Sequence, residues 1–260
     1  MAAPDSRSSA ERRGVLVIPA YNEAPRLPGL LARIAAEALP LEVAVVDDGS
    51  RDDTSEVAAR AGATVLRHPF NLGYGAGLQT GYKYALAAGA PWVVQMDADG
   101  QHDPRDVKRL LEPIERAECD LVIGSRFLEP TGYAMGALRQ LGRRFFIGIA
   151  GAFGFRVTDP TSGFQALGRR VLELYAGDAF PSDYPDVDVL LTAHRHGLVV
   201  HEISVTMHAG ERPSTLHGGM KSVWYLYKMM LSLWAASSRI PKAKRKEKRD
   251  GRNGDARAPA

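Results

Sequence analysis

Short apolar runs that end on polar or acidic clusters, with helix-like stretches between them, constrain this chain more than any other feature. "GVLVIPAY" (14–21) leads into "NE", "EVAVVDDGS" (42–50) ends on two acids and a turn, and "WVVQMDAD" (92–99) runs into "GQHDP". Residues 25–39, 53–62, 74–89 and 104–117 have helical patterning, and 63–68 and 120–127 are two further strands. Strands apolar throughout are buried on both faces, and strands alternating with helices are parallel. The pattern predicts an α/β fold, a doubly wound, mostly parallel sheet. Ligands of such sheets bind off the carboxyl ends of the strands. All three polar endings are therefore expected to face one crevice.

The second half is less regular. It predicts a helix over 139–155, a loop over 156–167, a helix over 185–197, a strand over 198–208 and a last helix over 220–239. The 260 residues, 45% hydrophobic, suit one globular domain with appendages. Residues 1–13 read as a disordered leader, 14–218 as the folded domain, 219–239 as an amphipathic interfacial helix and 240–260 as a basic tail. A single cysteine, Cys119, excludes a disulfide framework and a thiolate metal cluster, and fits a reducing cytoplasm. From Arg239 onward nine Lys or Arg stand against three acids, so the net charge of +3 hides an acidic body. Such a tail is either a solvated appendage or a contact for an anionic surface. An acidic body argues against nucleic acid as the partner, because a binder needs a basic face.

Asp97 and Asp99, spaced D-x-D at a strand end, are hard oxygen ligands of the kind that suit Mg²⁺ or Mn²⁺. An ion held by one or two carboxylates shares its other positions with water and phosphate. The implied ligand is a diphosphate, with the ion offsetting charge on a leaving group. Asp103 before Pro104 reads instead as a helix N-cap. Asp47 and Asp48 fit either an ordinary turn or a contact to a base or ribose. "NLGYGAGLQTG" (71–81) holds a loose glycine pattern that equally fits a flexible loop leading into a helix, and no Gly-rich dinucleotide fingerprint follows the first strand.

In order along residues 14–240, "VIPAYNE", "VVDDGS", "GYGAGLQTGYKYA", "MDADGQHDP", "VIGSRF" and "TDPTSGFQAL" resemble family 2 glycosyltransferases. The branch is that of dolichol-phosphate mannose synthase and bacterial polyprenyl-phosphate glycosyltransferases. The resemblance implies a GT-A fold, a nucleoside-diphosphate sugar donor and inverting transfer of a hexose to a polyprenyl phosphate at the cytoplasmic membrane face. It implies that Pro19, Tyr21 and Glu23 line the base and ribose pocket, with Asp48, Asp47 beside it and Gly75 also at the donor. Asp97 and Asp99 would hold the metal and diphosphate, with Gln101 near the metal. Asp159 and Ser162 would lie by the sugar, and Arg126 would face the acceptor or donor phosphate.

A phosphate acceptor is already an anion and needs cations rather than a base. Arg126, Arg139, Arg143 and Arg212 are the candidates. A hydroxyl acceptor would need a base, with Asp159 or Asp188 as candidates. The processive-synthase signature Q-x-x-R-W is absent, which argues against a polymerising enzyme, and paired membrane-spanning helices are absent too, so the hydroxyl acceptor stays open. The helix 220–239 carries Trp224, Tyr225, Tyr227 and Trp234 near Lys221, Lys228 and Arg239. It suits a membrane interface, a small membrane-protein partner or packing on the domain.

Overall fold

The computed structural model describes residues 13–129, 137–178, 180–182 and 185–208. Residues 1–12 of the leader, the helix 220–239, the basic tail and Arg212 lie outside the described residues. The strands are β1 (Gly14–Ala20), β2 (Leu41–Asp47), β3 (Thr64–Arg67), β4 (Trp92–Gln95), β5 (Leu121–Ser125), β6 (Gln165–Gly168) and β7 (Val200–Ser204). The helices are α1 (Leu27–Ala36), α2 (Thr54–Arg60), α3 (Tyr74–Ala87), α4 (Val107–Glu115), α5 (Ala137–Ala152), α6 (Arg169–Tyr175) and α7 (Val187–Arg195). One sheet takes the order β3-β2-β1-β4-β6-β5-β7.

The expected burial on both faces holds at β1. Val15 and Val17 face one core, with Leu78 and Tyr82 of α3 and Leu190 of α7. Leu16 and Ile18 face the other, with Leu27, Leu30 and Ile34 of α1 and Leu110 of α4. Alternate residues of a strand point to opposite faces, so an all-apolar strand needs two cores. Each such side chain stabilises the fold by about 1.5–3 kcal/mol when fully buried.

The 156–167 segment differs from expectation. Its end pairs as β6, antiparallel to both β4 and β5, with Gln165 opposite Gln95 and opposite Ile123. Four residues, "QALG", are too few to show a period, so they read as part of a loop. The reversal matters for the site. A strand running backwards starts where its neighbours end, and β6 therefore brings residues 156–164 to the carboxyl edge of β4 and β5. The strand at 92 is also shorter than expected. It stops at Gln95, although the Met96 N–H still donates to the Val17 carbonyl at 3.0 Å.

Helix α3 lies tightly on β1. A Cβ added at Gly81 would run into the side chain of Val17, which is fully buried and, being β-branched, stiff. Gly81→Ala would gain about 1 kcal/mol of helix propensity, but overpacking a closed core costs about 1–3 kcal/mol. At this contact the larger cost is expected to win, and urea unfolding should show a lowered midpoint. A raised midpoint would mean that α3 can shift away from the sheet.

Candidate active site

In a doubly wound sheet the crevice lies where the strand order turns back. Here that point falls between β1, whose other neighbour is β2, and β4. Pro19 is buried near the end of β1, and Tyr21 beyond it is 41% exposed. The following loop is laced to the β2 loop: the Asn22 N–H donates to Ser50 Oγ (2.9 Å) and the Glu23 N–H to Thr54 Oγ1 (2.9 Å). The Glu23 carboxylate pairs with Arg26. An open cleft of about 450 Å³ lies at the ends of β2 and β3, lined by Gly49, Ser50, Arg67, His68 and Pro69.

Burial without a partner is costly for a carboxylate, so each acid at this edge can be traced to what satisfies it. Asp47 is fully buried and accepts from the Ser50 N–H (2.8 Å) and from Ser55 Oγ. Burial alone would raise its pKa; the Ser50 and Ser55 hydrogen bonds outweigh it and hold the group below the usual carboxylate value. Asp48 accepts from His68 Nδ1 (2.7 Å) and from the N–H groups of Leu72 (2.8 Å) and Gly73 (2.9 Å). His68 Nε2 meets Thr80 Oγ1 at 2.9 Å. These bonds moor the loop that opens α3.

Asp159, considered as a base, is fully buried and bonded to Arg126 in a fork: Nε to Oδ2 (2.6 Å) and Nη2 to Oδ1 (2.7 Å). Its own backbone is held by Glu202 of β7, a residue the sequence reading passed over. That carboxylate accepts from the N–H groups of Thr158 (2.8 Å at Oε2) and Asp159 (3.0 Å) and from Thr158 Oγ1 (2.9 Å). Arg143 donates to the Thr158 carbonyl (2.8 Å) and lies 4.2 Å from the Phe127 ring centroid. Its Nε is buried with no hydrogen-bond partner among the described residues. Arg139 is in the first turn of α5, and its side chain, like Arg212, is outside the described residues. Asp188 is buried at the start of α7 and accepts from the N–H groups of Asp186 (3.0 Å) and Val189 (2.9 Å).

Ser162 and Gly75, two expected donor residues, have the following neighbours within the fold. Ser162 is buried and donates to the Gly124 carbonyl at 2.6 Å. Gly75 packs in the first turn of α3 directly on the backbone of Pro181 and Ser182, where a Cβ would collide with the Pro181 carbonyl.

Asp97 and Asp99 are satisfied least. Asp97 Oδ1 accepts from the Tyr74 hydroxyl (2.7 Å), and Asp99 Oδ1 from the Gln101 N–H (3.0 Å). Burial raises the pKa of both carboxyl groups, and the charge of Asp97 raises Asp99 further. His102 stays neutral: burial lowers its pKa to about 4, it stacks on Phe164 at 4.8 Å, and its Nδ1 accepts the Asp97 N–H (3.3 Å). Among the described residues no three His, Cys, Asp or Glu side chains converge on one point. The pair nevertheless fits Mg²⁺ or Mn²⁺, which take one or two carboxylates and complete their shell with water and phosphate. A cation would offset the burial that raises both groups and the charge of Asp97 that raises Asp99 further. Gly163 leaves the room: a Cβ there would lie 2.6 Å from Asp97 Oδ2. Asp103, read as a cap, accepts the Arg105 N–H at 3.0 Å at the start of a 3-10 turn.

The sequence model of "Glycosyl transferase family 2" matches residues 15–175. The chain is 34% identical to undecaprenyl-phosphate mannosyltransferase of Micrococcus luteus over 75% of this chain and 83% of that protein. It is 28% identical to polyprenol monophosphomannose synthase of Mycolicibacterium smegmatis over 90% of this chain and 91% of that one. The fold is similar to glucosyl-3-phosphoglycerate synthase from Mycobacterium tuberculosis, solved with Mn²⁺, UDP-glucose and phosphoglyceric acid. The TM-score is 0.67 at 24% identity, covering 89% of this chain and 81% of that one. The architecture is thus that of the GT-A glycosyltransferases.

Two outcomes follow from the satisfied acids. Asp159→Asn removes the carboxylate that forks Arg126, and breaking a buried pair from one side costs about 3–5 kcal/mol; guanidinium unfolding should show that loss. Asp47 has a lowered folded pKa, so its contribution is present above its unfolded value and lost as pH falls through the folded one. Between about pH 5 and pH 2, stability should fall less steeply in Asp47→Asn than in wild type, and equal slopes would refute the assignment.

Proposed function

The chain belongs to glycosyl transferase family 2, and on that premise we propose that it moves one hexose from a nucleoside-diphosphate sugar to a polyprenyl phosphate. The transfer inverts the anomeric carbon and uses Mg²⁺ or Mn²⁺ held by Asp97 and Asp99, with Gln101 beside them. The observation that carries this reading is the contrast at the sheet edge. Asp47, Asp48 and Asp159 are taken up by protein donors, whereas Asp97 and Asp99 keep raised pKa values beside each other at the switch point. Carboxylates in that state are built to receive a cation.

The base and ribose would sit toward the open cleft, near Pro19, Tyr21, Glu23 and Asp48. A cation bound at Asp97 and Asp99 supplies a counter-charge for the departing diphosphate. Arg126, fixed by its fork to Asp159, and Arg143 present guanidinium groups to the acceptor side, and Arg139 and Arg212 are assigned there as well. An oxygen of the acceptor phosphate forms its bond to the anomeric carbon as the bond to the donor diphosphate breaks. No proton has to be removed, which agrees with Asp159 being committed to Arg126 rather than open to a substrate hydroxyl. Two relatives are named for undecaprenyl or polyprenol phosphate chemistry, and that supports the lipid acceptor. None of the described helices is long and apolar enough to cross a membrane. The proposed attachment is peripheral, at the cytoplasmic face, through 220–239 and the basic tail, or through a small membrane-protein partner.

The test is a donor panel: purified protein, Mg²⁺ or Mn²⁺, and radiolabelled GDP-mannose, UDP-glucose or UDP-N-acetylglucosamine, each with and without undecaprenyl phosphate. Label should enter the organic phase with one donor, and Asp99→Asn should cut that transfer at least about 100-fold, the scale on which charge-stabilising groups act. Donor consumption with no labelled lipid would move the acceptor to a hydroxyl. An intact donor throughout would make the chain a binding partner rather than an enzyme.

A further inference from the structure

The hydroxyl of Tyr74, the first residue of α3, donates to Asp97 Oδ1 at 2.7 Å. Three neighbours restrict the carboxylate it holds. Tyr74 takes one oxygen. The other lies beside Gly163, where an added Cβ would stand only 2.6 Å from Oδ2. The buried His102 places Nε2 3.9 Å from Oδ2. The phenol is itself aimed from two sides. The residue before it, Gly73, has φ 106°, which an L side chain rarely adopts, and Asp48 clamps the Leu72 and Gly73 N–H groups. On the other side the Ala76 N–H donates to the Ser182 carbonyl at 2.9 Å and Gly75 sits flush on Pro181. The acid at the end of β2 thereby orients a side chain on the acid at the end of β4.

We propose that Tyr74 is a positioning residue for the cation site, its hydroxyl locking the Asp97 carboxylate in the orientation that receives the metal. The inference rests on the assignment of Asp97 as a metal ligand. Hydrogen bonds to ligating carboxylates set their orientation, and losing one typically weakens metal binding by about 10–100-fold. Tyr74→Phe removes only the oxygen and keeps the ring that packs against the core, so it separates this role from a packing role.

The experiment titrates Mn²⁺ into the full chain, following free Mn²⁺ by electron paramagnetic resonance in the presence of UDP and, in parallel, GDP. Tyr74→Phe is expected to weaken Mn²⁺ binding by about 10–100-fold, with turnover at saturating Mn²⁺ largely kept, so that the defect lies in the metal requirement. Gly163→Ala disturbs the same carboxylate from the other side, and the two changes together should be less than additive in the Mn²⁺ constant, as for groups sharing one partner. Tyr74→Phe binding within about twofold of wild type, or full additivity in the double variant, would overturn the inference while leaving the metal site standing. Wild type that binds no Mn²⁺ with either nucleotide would overturn both.

Discussion

A buried carboxylate must be satisfied, and at this sheet edge that requirement sorts the acids into two kinds. Asp47, Asp48, Asp159 and Glu202 are bonded to serines, loop N–H groups, a guanidinium and a threonine turn. They fix the loops that surround the crevice. Asp97 and Asp99 stand among them with fewer donors and with each other's charge to bear. The first group builds the frame within which the second can be left poised. Without that frame the desolvation cost of six acids in one region would go unmet.

The frame runs in series across the sheet. Glu202 on β7 holds the Thr158–Asp159 turn, Asp159 holds Arg126 at the end of β5, and His102 stacks on Phe164 in the lead-in to β6. Beyond them Val205 donates to the Ser125 carbonyl (3.1 Å) and His208 to the Gln101 carbonyl (2.8 Å), while the His208 ring meets Asp103 (3.0 Å). The chain that leads toward Arg212 is therefore moored to the same turn that carries the acid pair. In the proposed site, donor-side and acceptor-side elements would share one set of hydrogen bonds rather than stand as two independent sites.

Much of this was legible from the residues, and the reasons differ by element. The early strands announced themselves because apolar runs ending on acids have few other uses, and the helices between them carried a clear period and Gly stops. The antiparallel β6 and the short α6 were not legible: four to seven residues hold too little periodicity, and strand direction leaves no mark on composition. The roles of single acids were hidden for a different reason. Asp159 and Asp97 are alike as letters, and what separates them is whether a guanidinium or a phenol stands opposite. Tyr74 was not singled out, because nothing in the letters shows that its hydroxyl reaches an acid 23 residues away. Glu202 sits in the five-residue strand "VHEIS", which also carries His201 and Ser204, so the pattern did not mark its role either.

The backward strand also orders events in time. Parallel β1, β2 and β3 are complete once residue 67 has been made, but β4 has β1 on one side only until β6, some seventy residues later, arrives to close the other. During synthesis the middle of the sheet is an open edge of "WVVQ", apolar and unpaired. Long-range pairings of this kind are slow to form. By the time residue 99 has been made, Asp47, Asp48, Asp97 and Asp99 are all present, but neither Arg126 nor β6 is. The edge left open in the meantime is the one that later lies at the centre of the sheet.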